Sequence, residues 1–207
     1  MINGLWGKKI GMTQVFTEDQ RVVPVTAIDI AHWFVTQVKT AEKDGYNALQ
    51  CGLVRPRYQG LAFSTEWLTA PKKYFAFTRE VSLVDEPAPF QVGQTLNAEQ
   101  ILSQGDAIDA CGVTLGRGFQ GVVKRHGHSG GRGSHGDKLG RGPGSLEGLR
   151  RSGRVRKGRA LPGHMGAENR TIKNLEVIRV VPQENLILVK GSVPGKSNSL
   201  VFLRKSR

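Results

Sequence analysis

Cysteine is nearly absent from this 207-residue chain. Cys51 and Cys111 cannot build a disulfide framework, and each reads as a small buried apolar residue in a reduced compartment. No apolar run approaches the ~20 residues that span a bilayer, which excludes a helical membrane anchor. The opening Met1-Ile2-Asn3-Gly4-Leu5-Trp6 lacks the cationic and apolar regions of a secretory signal, so a cytoplasmic location is expected. Acidic residues are scarce: seventeen stand against thirty Lys+Arg, for a formal net charge of +13 and a pI near 10.2. That imbalance is too large for an ordinary cytosolic enzyme and calls for a polyanionic partner. Hydrophobic residues, at 38%, also fall short of average usage, so part of the chain builds no core of its own.

What is present is unevenly placed. Residues 1–116 carry 10 Lys+Arg and 12 Asp+Glu, a net of −2. Residues 117–173 carry 14 and 3, a net of +11, with 15 of the 27 glycines and four of the five histidines. Residues 174–207 carry 6 and 2. The composition changes on both sides of the basic block, so the chain reads as a discontinuous domain, 1–115 plus 170–207, interrupted by an extension over 116–169.

The flanks read as mostly β. Arg21–Ile30 and His32–Val38 are β-branched and aromatic with partial alternation, and Tyr46–Val54 follows a turn expected at Lys43-Asp44-Gly45. Residues 58–90 hold seven of the fourteen aromatics and are expected to form a satellite lobe with a short helix near Glu66–Tyr74. Asn97-Ala98-Glu99-Gln100 fits a helix start, with a stop at Gly105. Ala107–Leu115 resumes as a strand, Ile172–Val181 and Asn185–Lys190 read as a hairpin around Pro182-Gln183-Glu184, and Leu200–Leu203 closes the set. Short strands separated by turn signals predict a small antiparallel barrel.

Two motifs mislead. Gly116-Arg117-Gly118-Phe119-Gln120-Gly121 is a literal G-x-G-x-x-G, but a dinucleotide site needs a helix straight afterwards, and Val122–Arg125 runs into His126-Gly127-His128-Ser129-Gly130-Gly131, which is expected not to sustain one. Gly195-Lys196-Ser197 resembles a P-loop ending, yet Lys190 stands where the first glycine is required. His126, His128 and His135 lack a fourth ligand at zinc-site spacing, so no metal is expected. No nucleophile has a base beside it, so neither catalytic residues nor a cofactor are expected.

Between Lys124 and His164 the larger apolar residues are only Leu139, Leu146, Leu149, Val155 and Leu161. Glycine makes ordering expensive and the cations repel one another, so this stretch alone is expected to be disordered. Against RNA its cations replace condensed counterions, and glycine lets the main chain approach phosphates. Phe119 is the one aromatic of the segment, so shape and phosphate contact, rather than base stacking, are expected to dominate. Neither a recognition helix nor a two-stranded reading element, as a DNA binder would need, is visible in the basic segment, so DNA is not an expected partner.

The residues resemble a known family. Thr114-Leu115-Gly116-Arg117-Gly118-Phe119-Gln120-Gly121-Val122-Val123-Lys124-Arg125 is similar to the signature of the large ribosomal subunit protein three family in its bacterial form. So are Gly7–Phe16, Asp44–Gln50, Ser134-His135-Gly136, Arg141–Ser145, Gly153-Arg154-Val155, Gly163-His164-Met165-Gly166, Asn174–Val177 and Val189–Gly195, in order along essentially the whole chain. The resemblance implies an elongation-factor-like barrel bound to large-subunit rRNA early in assembly, with the extension threading toward the peptidyl transferase centre. It also implies large-subunit proteins fourteen and nineteen as neighbours. Read with the charge pattern, it assigns rRNA contact to Lys8, Lys9, Arg117, Lys124, Arg125, His126, His128, Arg132, His135, Lys138, Arg141, Arg150, Arg151, Arg154, Arg156, Lys157, Arg159, His164 and Arg170. Close main-chain approach falls to Gly116, Gly118, Gly121, Gly144, Gly163 and Gly166. The chain departs from the family pattern at Leu115 (usually Lys), Glu147 (usually Gly), Arg150 (a Gln in some members) and Leu161-Pro162 (often Met-Ala).

Two other classes compete: a different basic nucleic-acid-binding or chaperone-like protein, and a cofactor enzyme built on Gly116–Gly121. Co-sedimentation with large-subunit particles separates them from retention on a nucleotide resin.

Overall fold

A computed structural model describes residues 2–17, 19–83, 90–98, 101–146 and 153–206. Its strands are β1 (Gly4–Phe16), β2 (Val22–Asp29), β3 (Trp33–Lys39), β4 (Ala48–Val54), β5 (Phe75–Ser82), β6 (Ala107–Val113), β7 (Gly118–Gln120), β8 (Gly163–Met165), β9 (Asn169–Val181), β10 (Leu186–Lys190) and β11 (Leu200–Lys205). The chain divides into two compact units, residues 1–113 with 169–207, and residues 114–168.

In the first unit six antiparallel strands close a barrel in the order β1-β11-β6-β9-β10-β2. β1 serves two neighbours. Its first half pairs with β11, Gly4 opposite Arg204 and Lys8 opposite Leu200. Its second half pairs with β2, from Lys8 opposite Asp29 to Phe16 opposite Val22, with a register shift between Lys9 and Gly11. An extra residue bends a strand, and a bent strand can pair on both sides of the seam. Alternation then decides the interior: Ile187 and Val189 on β10, and Val201 and Leu203 on β11, are fully buried, as are Leu5, Val25, Ile28, Ile108, Ala110 and Val177. The mostly β small antiparallel barrel expected from the strand pattern is the fold observed.

One irregularity of the barrel carries a charge. Between Ile108 and Ala110 the register with β9 shifts, so that Lys173 and Asn174 oppose Asp109 alone. Asn174 adopts a φ of +56° there, and its main-chain N–H donates to Asp109 Oδ1 at 3.2 Å. Arg204, directly opposite on β11, donates to Oδ2 at 2.9 Å. The Arg204 hydrogen bond, helped by the Asn174 N–H, outweighs desolvation and holds the Asp109 carboxyl below its usual range.

A three-stranded sheet, β3-β4-β5, continues the first unit. Trp67, Phe75 and Val54 bury an aromatic cluster against Phe34, Tyr58, Phe63 and Tyr74. Gly52 of β4 is required here, since a Cβ on it would lie 2.6 Å from the Phe75 ring. Further along the same sheet Lys39 Nζ donates to Glu80 Oε1 and to the Tyr46 hydroxyl, each at 2.7 Å, while that hydroxyl donates to Glu80 Oε2 at 2.9 Å. The Lys39 hydrogen bond draws Glu80 below the usual carboxylate range, and Glu80 raises Lys39 in return.

Several local expectations change. Lys43-Asp44-Gly45 lies in the reversal between the antiparallel β3 and β4, as expected, but not as a two-residue Asp-Gly turn: Ala41–Asp44 is one helical turn, and Gly45 alone, at φ +82°, is its left-handed cap. The helix expected near Glu66–Tyr74 is two single turns, Glu66–Thr69 and Pro71–Tyr74, because Pro71 cannot continue the first. The helix start at Asn97–Gln100 falls partly on residues outside those described. Among the described residues, Leu102 N–H donates to the Ala98 carbonyl at 2.8 Å. Cys51 is buried, and burial pushes its thiol up to about 12, whereas Cys111 is half-buried. Gly195-Lys196-Ser197, the P-loop look-alike, lies in a turn after β10, with Ser199 N–H donating to the Lys196 carbonyl at 3.1 Å.

Candidate nucleic-acid interface

The basic segment builds its own framework in the second unit. Thr114 N–H donates to the Glu168 carbonyl at 2.9 Å, Glu168 N–H returns to Thr114 Oγ1 at 3.3 Å, and Arg117 N–H reaches the Met165 carbonyl at 2.8 Å. These close the base of the unit and start a two-stranded ribbon, β7 with β8, in which Gly118 faces Met165, Phe119 faces His164 and Gln120 faces Gly163. A short helix, Val122–His126, follows and ends at Gly127, φ +74°. The helix stops at Gly127, within the His126–Gly131 run expected not to sustain one, but it and the three-residue ribbon are more local structure than the basic segment was expected to hold. Each is minimal, three residues per strand and five in the helix, because glycine punctuates the chain at Gly118, Gly121 and Gly127. Of the literal G-x-G-x-x-G, Gly118–Gln120 form β7 and Gly121 precedes a helix of only five residues, so the run is not the strand–loop–long helix of a dinucleotide site.

Apolar burial contributes little. Val122 is the one buried side chain among the described residues of 114–168. In place of a core, cationic side chains fasten backbone to backbone. Arg125 donates to the Leu161 carbonyl at 2.7 Å, His126 Nε2 lies 3.1 Å from the same oxygen, and Arg159 donates to the Ser145 carbonyl at 2.6 Å. Gly163 is fixed by this arrangement: a Cβ would sit 2.6 Å from an Arg125 guanidinium nitrogen. Gly166, at φ +78°, packs on the Leu115 carbonyl. Both glycines are thus explained by the chain's own packing. Gly118, Gly121 and Gly144 instead leave open space where a Cβ would be, and Gly116 makes ordinary contact with Ala167.

The assigned cations therefore separate by role. Arg117, Lys124, Arg132, Lys138, Arg141, Arg154, Arg156 and Lys157 are exposed, with His126, His135 and His164, while Arg125, His128 and Arg159 are half-buried. Arg150 and Arg151, like Glu147, lie outside the described residues. In the first unit Lys8 is half-buried, Arg170 is exposed on β9, and Lys9 spends two of its donors on the Val193 and Gly195 carbonyls, at 2.8 and 3.0 Å. No sequence signal reveals that Lys9, Arg125 and Arg159 have carbonyl acceptors, because a main-chain oxygen can belong to any residue. Phe119, the segment's lone aromatic and absent from the residues assigned to RNA contact, is 76% exposed. Its position among three glycines, with no apolar neighbour to bury it, is the signal that could have found it.

The His126 and His128 ring centroids are 6.1 Å apart, and no group of three potential metal ligands gathers among the described residues. Nor, among them, is any helix long and apolar enough to cross a membrane. The arrangement supplies fixed cations on an open main chain, which suits a polyanion.

Comparison with known proteins agrees with this chemistry. The family model for ribosomal protein L3 matches residues 83–185. The chain is 44% identical over 208 residues to the large ribosomal subunit protein uL3 of Geotalea daltonii, covering all of this chain and 98% of that protein. It is 45% identical over 208 residues to the uL3 of Pelotomaculum thermopropionicum, with the same coverage. For the uL3 of Desulfitobacterium hafniense the identity is 44%, over 98% of this chain and 95% of the relative. Identity at this level over both full lengths establishes that the chain belongs to the ribosomal protein L3 family, of bacterial type, whose members are structural constituents of the large ribosomal subunit and not enzymes.

Proposed function

We propose that the chain binds large-subunit rRNA chiefly through residues 114–168, joins the subunit early in its assembly, and extends this segment through rRNA toward the peptidyl transferase centre. One observation carries the reading. Among the described residues of the segment a single side chain is buried, while eight Lys and Arg side chains are exposed. A unit with so little core and so much like charge is stabilised by an external polyanion that neutralises it. Shape and phosphate contact set its affinity, since the exposed groups are point cations and guanidinium forks rather than a row of rings. The barrel is the anchor from which the segment departs, and proteins fourteen and nineteen of the large subunit, implied by the family resemblance, are its neighbours in cytoplasmic ribosomes.

Binding of the full chain to transcribed large-subunit rRNA tests the reading. Affinity should fall by orders of magnitude between low and moderate salt, and the chain should sediment with large subunits. Affinity indifferent to salt contradicts it.

A further inference from the structure

The cationic unit contains one side chain that electrostatics leaves unexplained. Phe119 sits at the centre of β7, with its backbone fixed by the ribbon on either side. It is 76% exposed, and neither it nor His164 opposite packs on a ring or cation among the described residues. Directly opposed residues of an antiparallel pair share a face, their Cβ atoms about 4.5–5.5 Å apart. The ribbon therefore presents a phenyl and an imidazole together. Gly121, two residues on in extended conformation and so on the same face as Phe119, has nothing within 4 Å of where a Cβ would be, so no side chain at that position covers the ring. Arg117, two residues before Phe119, and Lys124, on the following helix, are both exposed.

We infer that Phe119, with His164 opposite, is a stacking platform for one unpaired nucleobase of the bound RNA. This rests on the rRNA-binding reading and deepens it. A phenyl ring offers neither charge nor hydrogen bonds, so its occupant must be flat or apolar. Its surroundings are cationic, so the occupant must carry negative charge nearby. A nucleobase on its phosphate chain satisfies both, whereas an apolar pocket of a protein satisfies only the first. The platform supplies a salt-independent contribution beside the phosphate contacts.

The test uses the full chain with transcribed large-subunit rRNA and two substitutions, Phe119→Leu and Phe119→Trp. Leucine keeps the apolar bulk but has no π-face. Phe119→Leu should weaken binding by about 5- to 150-fold, the range for losing one stacked base, and leave the salt slope unchanged. Phe119→Trp should retain affinity, and its added indole emission should be quenched on binding, measured above the background of Trp6, Trp33 and Trp67. If Phe119→Leu binds as tightly as the parent, or the added indole is not quenched, the platform is refuted while salt-dependent binding by the parent keeps the wider reading intact. If the parent itself fails to bind rRNA, the wider reading fails, and the platform with it.

Discussion

Lys124 and Arg125 are adjacent cations with different surroundings, and replacing them separately exposes how the basic unit works. Lys124 is exposed on the Val122–His126 turn and makes no hydrogen bond or ion pair among the described residues. Arg125 is half-buried, its guanidinium committed to the Leu161 carbonyl at 2.7 Å and packed over Gly163. If Lys124 meets a phosphate, Lys124→Ala removes one contact and flattens the plot of log affinity against log salt by about 0.7 to 0.9. Raising salt roughly fourfold then costs the parent about three times more affinity than it costs the variant. Arg125→Ala should lower affinity through loss of the internal fastening and change the slope much less. The double variant should therefore flatten the slope by nearer about one unit than two. Filter binding to transcribed large-subunit rRNA across a salt series measures all three slopes. An unchanged slope in Lys124→Ala, or a full unit lost in Arg125→Ala, refutes the division between fastening and contacting cations.

Three further outcomes follow from the fold. Removing residues 126–164 and joining the ends with a short Gly/Ser turn should leave a cooperative melt by calorimetry, because both buried hydrophobic clusters lie outside 114–168; a molten product contradicts this. Asp109 is held below its usual range by Arg204, so its contribution to stability is complete above the unfolded carboxyl value, about 3.9, and is lost as pH falls through the lower folded value. Melts across this acid range should lose less stability in Asp109→Asn than in the parent, and equal losses contradict the pairing. Finally, Cys51 is buried with its thiol pushed up to about 12, so a thiol reagent near neutral pH should titrate Cys111 alone in the folded protein and both when unfolded; two rapid equivalents in the folded state refute this.

Legibility in the sequence followed the physics of each segment. Strands whose inner face is β-branched and alternating, such as β2, β9, β10 and β11, were readable, and so was the hairpin at Pro182–Glu184, where Asn185 at φ +52° completes the turn. β1 was not read as a strand in its own right. Gly4, Gly7 and Gly11 together with Lys8-Lys9 interrupt its pattern, and for Gly7 the reason lies on the neighbouring strand β2: a Cβ on it would fall 2.5 Å from Ile28 Cγ2. β7 and β8 were invisible because three-residue strands separated by more than forty positions carry no local period. In the basic unit, charge and glycine content marked the block on which the proposed RNA contact rests. They could not separate cations that hold the chain together from cations left exposed, since that depends on carbonyl oxygens brought near by the fold. Burial decided the rest: one interior valine in the described part of 114–168 is a property of the packed chain, not of its composition.

The central claim is that residues 114–168 are where this family member meets RNA. Zero-length ultraviolet crosslinking of the intact large subunit, with the crosslinked peptides read by mass spectrometry, tests it most directly. The account predicts that RNA adducts concentrate within 117–165, with Phe119 and the exposed cations from Lys124 to Lys157 among them. Adducts confined to the barrel strands, with 117–165 recovered unmodified, would contradict it.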